Sequence, residues 1–305
     1  MNQQYLLKHR ELFQYVIGIN FNQFSEILPK FSVALRKAEY QKIWGKPRLR
    51  EPGGGRKSKL PDDYQKLFFI LFYYKTYPTF RFAQVIYGLD KRNIQLWVKF
   101  LAPVLFQALG YELSLKLRKK ISRFDLWLEE YPELSEFIVD CTERAIQRPK
   151  DGKIQSEYYS GKKKYHSVKN QILVSPTTKR ILSVSDSVEG TIHDKKLFEV
   201  TPQLPYLPDY SVGLGDLGYM GTDGLNPRLK MILPQKKPPG KDLTDSQKLN
   251  NKAISSIRVR VEHPFSYLKH FNILSVKFRG RLNQQNLDLP FKTIACIYNF
   301  TRHPT

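Results

Sequence analysis

The chain has 305 residues, 41% hydrophobic and 13% aromatic, enough to bury a sizeable core in two or three structural units and too apolar for a disordered basic tail. Its 50 Lys and Arg against 28 Asp and Glu leave a formal charge of +22, which favours a polyanionic partner, nucleic acid first; a membrane-surface protein or a charged scaffold would share that balance. The apolar run LFFILFYY at 67–74 falls far short of the roughly 20 residues that cross a bilayer. The start, MNQQYLLKHRELF, lacks the apolar core and cleavage site of a secretory signal, so a cytoplasmic, nucleoid-associated protein is the expectation.

Residues 1–45 read as an N-terminal helical region. Leu12, Phe13 and Val16, then Phe24, Ile27, Leu28 and Phe31, recur at three- and four-residue intervals, the period of a helix with one buried face. Pro29 is expected to limit or bend the second helix. Residues 46–61 form a basic Gly/Pro linker, where Pro47, Pro52 and Gly53 to Gly55 break the periodicity and Arg56 and Lys57 are candidate phosphate contacts; a solvated loop explains the same composition.

From 62 to 135 the pattern is three short helices and a helical connector at about 123–136. The tight spacing of the first three resembles a helix-turn-helix. On the third, Ile94, Trp97, Val98 and Leu101 mark an apolar stripe, while Lys91, Arg92, Gln95 and Lys99 fall elsewhere. These polar types can contact phosphates and base edges, and they equally suit the solvated face of an ordinary amphipathic helix.

Beyond 136 the texture changes to short strands. FIVD at 137–140, the stretches 163–175 and 179–188, a helix at HDKKLFEV, strands at 211–216 and 229–234, and a long helical segment from about Leu243 to His270 come in that order. The fold class is α+β: an RNase H-like domain over 136–305, a mixed sheet with flanking helices, preceded by the all-α helix-turn-helix region. Strand alternation in FIVDCTE puts Phe137, Val139 and Cys141 on one face and Ile138, Asp140 and Thr142 on the other. Cys141 and Cys296 are the only cysteines; far apart and without a CxxC partner, they support neither a disulfide nor a zinc site.

Three carboxylates stand out. Asp140 ends the apolar strand FIVD, Asp216 ends the strand at 211–216, and Glu262 lies in RVRVEHPFSYLK. On a continuous helix Arg258, Glu262 and Lys269 would share one stripe. Burying a carboxylate at the end of an apolar strand is costly without a neutralising partner or ion. Magnesium and manganese prefer hard oxygen ligands, and two such ions can activate an attacking oxygen and stabilise a leaving one. By analogy to that chemistry, Asp140 would bridge both ions, Asp216 would hold one and Glu262 the other, with water and then a freed DNA 3′-hydroxyl as nucleophile. Taken singly, Asp140 or Asp216 could be a turn residue, and Glu262 could simply pair with Arg258.

The same residues carry a resemblance. FIVDCTERAIQRP, YYSGKKKYHSVKNQILV, RILSVSDSVEGTIHDKKLFE, GDLGYMG and RVRVEHPFSYLK resemble, in that succession, the DDE-superfamily transposases of bacterial insertion sequences, in the branch related to PIF/Harbinger elements. The resemblance implies Asp140, Asp216 and Glu262 as catalytic triad and metal ligands, with Arg258 and Lys269 in the same signature; Ser255 stands where that signature has Tyr. His193 and Asp194 match an HD pair, for which a helix start, with Asp194 near the positive end of the dipole, is the simplest structural account. Tyr219 is an accessory candidate for stacking on an exposed base, with a packed aromatic as the alternative. The activity that the resemblance implies is that of a transposase, which binds terminal inverted repeats and cleaves and joins double-stranded DNA with two Mg²⁺ (or Mn²⁺) ions, as a homodimer or higher oligomer on the element ends and target. A domesticated DNA-binding regulator, or a metal-dependent endonuclease without strand transfer, are the alternatives.

Overall fold

The computed structural model describes residues 3–45, 58–110, 135–201, 207, 211–222 and 229–303. Arg56, Lys57, most of the basic linker and nearly all of the connector expected at 123–136 lie outside the described residues. The chain divides into two compact units, residues 1–112, 270–276 and 289–305 in one and 113–269 and 277–288 in the other.

The first unit is helical. Its opening elements are α1 (Gln3–Lys8), α2 (Phe13–Ile17) and α3 (Phe21–Trp44), then α4 (Asp63–Thr76), α5 (Phe80–Tyr87) and α6 (Lys91–Leu109). Every residue of α4 from Lys66 to Tyr74 is buried, as expected of a helix that is apolar all round. Phe68 of α4 meets Phe13 and Phe24 edge-on, with ring centroids 5.9 and 6.5 Å apart. Side-chain caps set the helix starts: Asp62 accepts from the Gln65 amide at 2.7 Å, Thr79 from Phe82 at 3.2 Å and Asp90 from Arg92 at 2.8 Å. Gly18 closes α2 with φ 84°, and a Cβ there would sit 2.4 Å from Cζ of Phe271. Both the backbone and the packing therefore demand glycine.

One half of an expectation fails in this unit. Pro29 does not limit its helix: α3 runs through it for 24 residues. Phe24 and Ile27 before the proline, and Phe31 and Leu35 after it, are all buried. Packing on both sides offsets the one hydrogen bond that the proline removes.

The second unit is a mixed sheet with helices. Strand β1 (Glu136–Ala145) pairs antiparallel with β3 (Tyr165–Val174) from Ile138↔Val174 to Ala145↔Ser167. Between them lie helix α7 (Gly152–Tyr158), which no sequence periodicity announced, and the short strand β2 (Tyr159–Ser160). The other edge of β3 takes β2, β4 (Ile181–Val184) and β5 (Val188–Glu189). Helix α8 (Asp194–Val200) comes next, and then β6 (Val212–Leu214) and β7 (Lys230–Ile232), which extend the sheet in parallel from β1. The chain continues as α9 (Asp245–Arg258), a 3₁₀ turn at Val259–Val261 and α10 (Glu262–Lys269). The short α11 (Asn272–Ser275) and α12 (Gln284–Arg302) complete the chain.

One sheet face carries Phe137, Val139 and Leu173, packed with Phe198 of α8, Tyr219 and Met231. That is the predicted alternation. Two expectations need correction. Strand β1 does not end at Asp140 but runs on to Ala145, because buried polar groups hold its charged half. Arg144, 5% exposed, donates to Asn170 Oδ1 at 2.8 Å, to Ser187 Oγ at 3.0 Å and to the Leu287 carbonyl at 3.1 Å. Nor do Arg258, Glu262 and Lys269 lie on one helix. The 3₁₀ turn separates α9 from α10, since Pro264 lacks an N–H and its ring opposes the carbonyl four residues back, at Arg260.

The buried network makes Arg144 a stability residue. Arg144→Ala leaves Asn170 and the Leu287 carbonyl short of a donor, and a loss of about 3 kcal/mol is expected in denaturant unfolding. Unchanged stability would show that the network carries no weight.

Candidate active site

The parallel pairing of β1 with β6 sets the level of the first two acids. Ile138 lies opposite Leu214, the last residue of β6, so Asp140, two residues further along β1, neighbours the turn after β6 in which Asp216 stands, also two residues further along. Asp140 Oδ1 accepts the Cys141 amide at 2.8 Å. Asp216 caps the 3₁₀ turn at Leu217–Tyr219, its Oδ1 accepting from the Gly218 amide at 2.8 Å. Burial pushes the Asp140 carboxyl up to about 6; the Cys141 amide and the Arg258 guanidinium oppose that rise, while Asp216 and Asp194 add to it. Three charged groups thus act on Asp140 here: Arg258, Asp216 and Asp194.

Asp194 opens α8, and its Oδ1 receives Lys169 Nζ at 2.8 Å. Lys169 is buried on β3 and also donates to the Ile192 carbonyl at 2.6 Å. A Cβ on Gly218 would lie 2.9 Å from Asp216 Oδ1 and 3.0 Å from Asp194 Oδ2. Two carboxylates therefore close on a single glycine, and only the missing side chain lets them approach. Gly218→Ala is expected to displace one of them and to lower cleavage at least tenfold with little loss of melting temperature, since residue 218 is exposed. Cleavage equal to wild type would mean that the carboxylate spacing is uncritical.

Glu262 stands apart. It is exposed at the start of α10 and is not among the charges that act on Asp140. Among the described residues no three His, Cys, Asp or Glu side chains are placed to hold a metal together. The preceding 3₁₀ turn does pack against β1, which puts Glu262 one residue beyond a segment touching the Asp140 strand. Arg258, at the end of α9, has a buried Nε that makes no hydrogen bond. Lys269 is exposed, its Nζ 5.8 Å over the Phe265 ring. In the first unit Lys91, Arg92, Gln95 and Lys99 are all exposed on α6, while Ile94 and Leu101 are fully buried.

His193 is the N-cap residue of α8 and makes no side-chain cap bond. Tyr219 is wholly buried, its ring edge-on to Phe198 at 5.9 Å and its hydroxyl 3.2 Å from Cys141 Sγ. Its faces are closed to a nucleic-acid base in this arrangement. Burial also raises the Cys141 thiol well above its ordinary range, which makes it a packed, unreactive group. The residue that sequence reading passed over is Lys169. A lysine in the middle of a strand that reads on into the apolar run QILV is a signal for a buried acidic partner, and the HD pair supplies it.

Comparison with known proteins agrees with the resemblance. The DDE superfamily endonuclease family matches residues 139–299, a span that runs from the Asp140 strand into α12. The probable transposase for insertion sequence element IS702 of Microchaete diplosiphon is 31% identical over 248 residues, 81% of this chain and 83% of that protein. A solved structure, the piggyBac transposase synaptic complex with hairpin DNA, aligns at TM-score 0.45 with 10% identity over 95% of this chain and 73% of that one, too distant a likeness to carry an inference. The chain belongs to the DDE superfamily of endonucleases, among its insertion-sequence transposases. Membership in this family implies dependence on a divalent metal. The donor chemistry here fits such an ion: two adjacent oxygen donors, one costly to ionise where it stands, faced by a single guanidinium. No helix of the described residues is long and apolar enough to cross a membrane.

Proposed function

We propose that this transposase binds the terminal inverted repeats of its own element and cleaves and joins DNA strands at the Asp140 and Asp216 site, with Glu262 as third ligand and two Mg²⁺ (or Mn²⁺) ions as cofactor. The observation that carries this reading is the nearness of Asp140, within β1, to Asp216, in the turn that follows the parallel neighbour β6, close enough for the Asp216 charge to act on the Asp140 carboxyl. When bound, the ions would activate the attacking oxygen and offset charge on the leaving one. The residues do the rest. Asp140 and Asp216 orient the site from the sheet, the Cys141 and Gly218 amides fix one oxygen of each, and Arg258 supplies positive charge beside the scissile phosphate.

The order of strands and helices in the second unit supports an RNase H-like fold. The first unit supports a helix-turn-helix, with α5 and α6 as the helix pair and Lys91, Arg92, Gln95 and Lys99 facing DNA; three residues, 88–90, join the two helices. With them go Lys269 and the linker residues Arg56 and Lys57, as contacts to the phosphate backbone of element ends and target. Handling two ends together calls for a homodimer or higher oligomer, acting on DNA in the bacterial cytoplasm.

The test is a strand-transfer assay with labelled element ends and a target plasmid in Mg²⁺. A joined product is expected. Cleaved ends without joining would support a simple endonuclease, and binding alone a regulator.

A further inference from the structure

A cleft of about 370 Å³ has Asp194 and Gly218 in its lining, and the Gly218 amide donates a hydrogen bond to Asp216. The cleft therefore begins at the turn that Asp216 caps. Its volume falls in the range of sites for small ligands, roughly 300–1,000 Å³. Glu143, Tyr159, Lys162 and His193 are among the other residues that line it.

The polarity of the lining selects among ligands. Its basic side chains are Lys162, Lys169 and His193; Lys169 is already bound to Asp194, so the lysine left over is Lys162, exposed in the turn after β2. Against it stands Glu143, half-buried, with one carboxylate oxygen taken by Ser167 Oγ at 2.7 Å. A phosphate inside the cleft would face that carboxylate at close range. A neutral, flat group with hydrogen-bond donors at its edge would not. Tyr159, 43% exposed, adds an aromatic surface, its ring steadied edge-on by His166 at 5.4 Å. This is the equipment that stacks on an extruded base and reads its edge.

We infer that the cleft receives a single unpaired nucleobase next to the scissile phosphate, stacked on Tyr159, with its exocyclic amine given to Glu143 and its own phosphate held at the rim by Lys162. The inference rests on the transposase reading above, because that reading places DNA over Asp216. A carboxylate accepts from cytosine N4 and finds no such amine on thymine. Cytidine therefore ranks above thymidine.

The experiment titrates dCMP and dTMP, with inorganic phosphate alongside, into the full-length protein without divalent metal, followed by calorimetry and NMR. Binding of dCMP several-fold tighter than dTMP is expected. Tyr159→Ala is expected to weaken both by roughly tenfold, the cost of one lost stacking partner. Glu143→Gln, which keeps the bond from Ser167, is expected to erase the preference. Phosphate binding should not respond to Tyr159→Ala. Nucleotide binding that neither substitution alters overturns the proposal, and so does the absence of binding. A photoreactive base stepped across an element end, and separately across target plasmid DNA, then shows which DNA supplies the base through the adduct on Tyr159; an adduct from neither also overturns it. Because cleavage plays no part in these measurements, the cleft can fail while the transposase reading stands, and the reverse.

Discussion

Asp140→Asn is expected to reduce strand cleavage by at least about a thousandfold, some 4 kcal/mol of transition-state stabilisation, and at pH 8 to raise the melting temperature. The two effects have one cause. Burial lifts the Asp140 carboxyl from 3.8 to about 6, so between those values the folded chain holds a proton that the unfolded chain has released. Stability is therefore intact below the unfolded value, declines as pH rises through the interval, and carries the full penalty above about 6. Two units correspond to a penalty of about 3 kcal/mol. Asparagine keeps the size and can still accept the Cys141 amide, but has no charge to bury. The variant should melt several degrees higher than wild type at pH 8 and no higher at pH 4. Wild-type cleavage should also fade below pH 6, where the protonated acid no longer serves as a metal ligand. A variant that loses activity without gaining stability at pH 8 would show that the charge is already compensated without metal.

This opposition between stability and chemistry also explains which parts of the site were legible in the sequence. Alternation in FIVDCTE assigned the faces of β1 correctly, because Phe137 and Val139 are buried on one side and the period of two comes from backbone geometry alone. The end of the strand was misjudged. Glu143 and Arg144 look like solvated turn residues until Ser167, Asn170 and Ser187 supply partners from more than 20 residues away, and such long-range compensation leaves no local pattern. Helix α7 was missed for a related reason: it buries no residue, and it starts from the Asp151 cap, which accepts from the Lys153 and Ile154 amides. Asp194 read most simply as a helix start because it is one. Its second relation, to Lys169 and Gly218, exists only once β3 and the turn after β6 are brought together. Tyr219 shows the converse. GDLGYMG looks like an open, glycine-rich turn, yet its one large ring is turned into the core.

Glu262→Gln is expected to match Asp140→Asn in lost cleavage, about a thousandfold, and to leave stability within about 0.5 kcal/mol, as for an exposed side chain without buried partners. Asp194→Asn is the necessary comparison, because Asp194 lies with the other two acids and Glu262 does not. Asp194, however, is already neutralised by Lys169 at 2.8 Å, whereas Glu262 is exposed and keeps its charge available. The joint that separates Glu262 from the pair is three residues long, Val259–Val261. A 3₁₀ turn advances about 120° per residue and an α-helix about 100°, so rewinding those residues would rotate α10 by roughly 60° relative to α9 and bring Glu262 back onto the stripe of Arg258. Spin labels at Ser266 on α10 and Glu136 on β1, both exposed, should therefore report a changed separation when Mn²⁺ and DNA are added. If the separation stays fixed, and Asp194→Asn abolishes cleavage while Glu262→Gln spares it, the third ligand is Asp194, and its ion pair with Lys169 must open for the site to assemble.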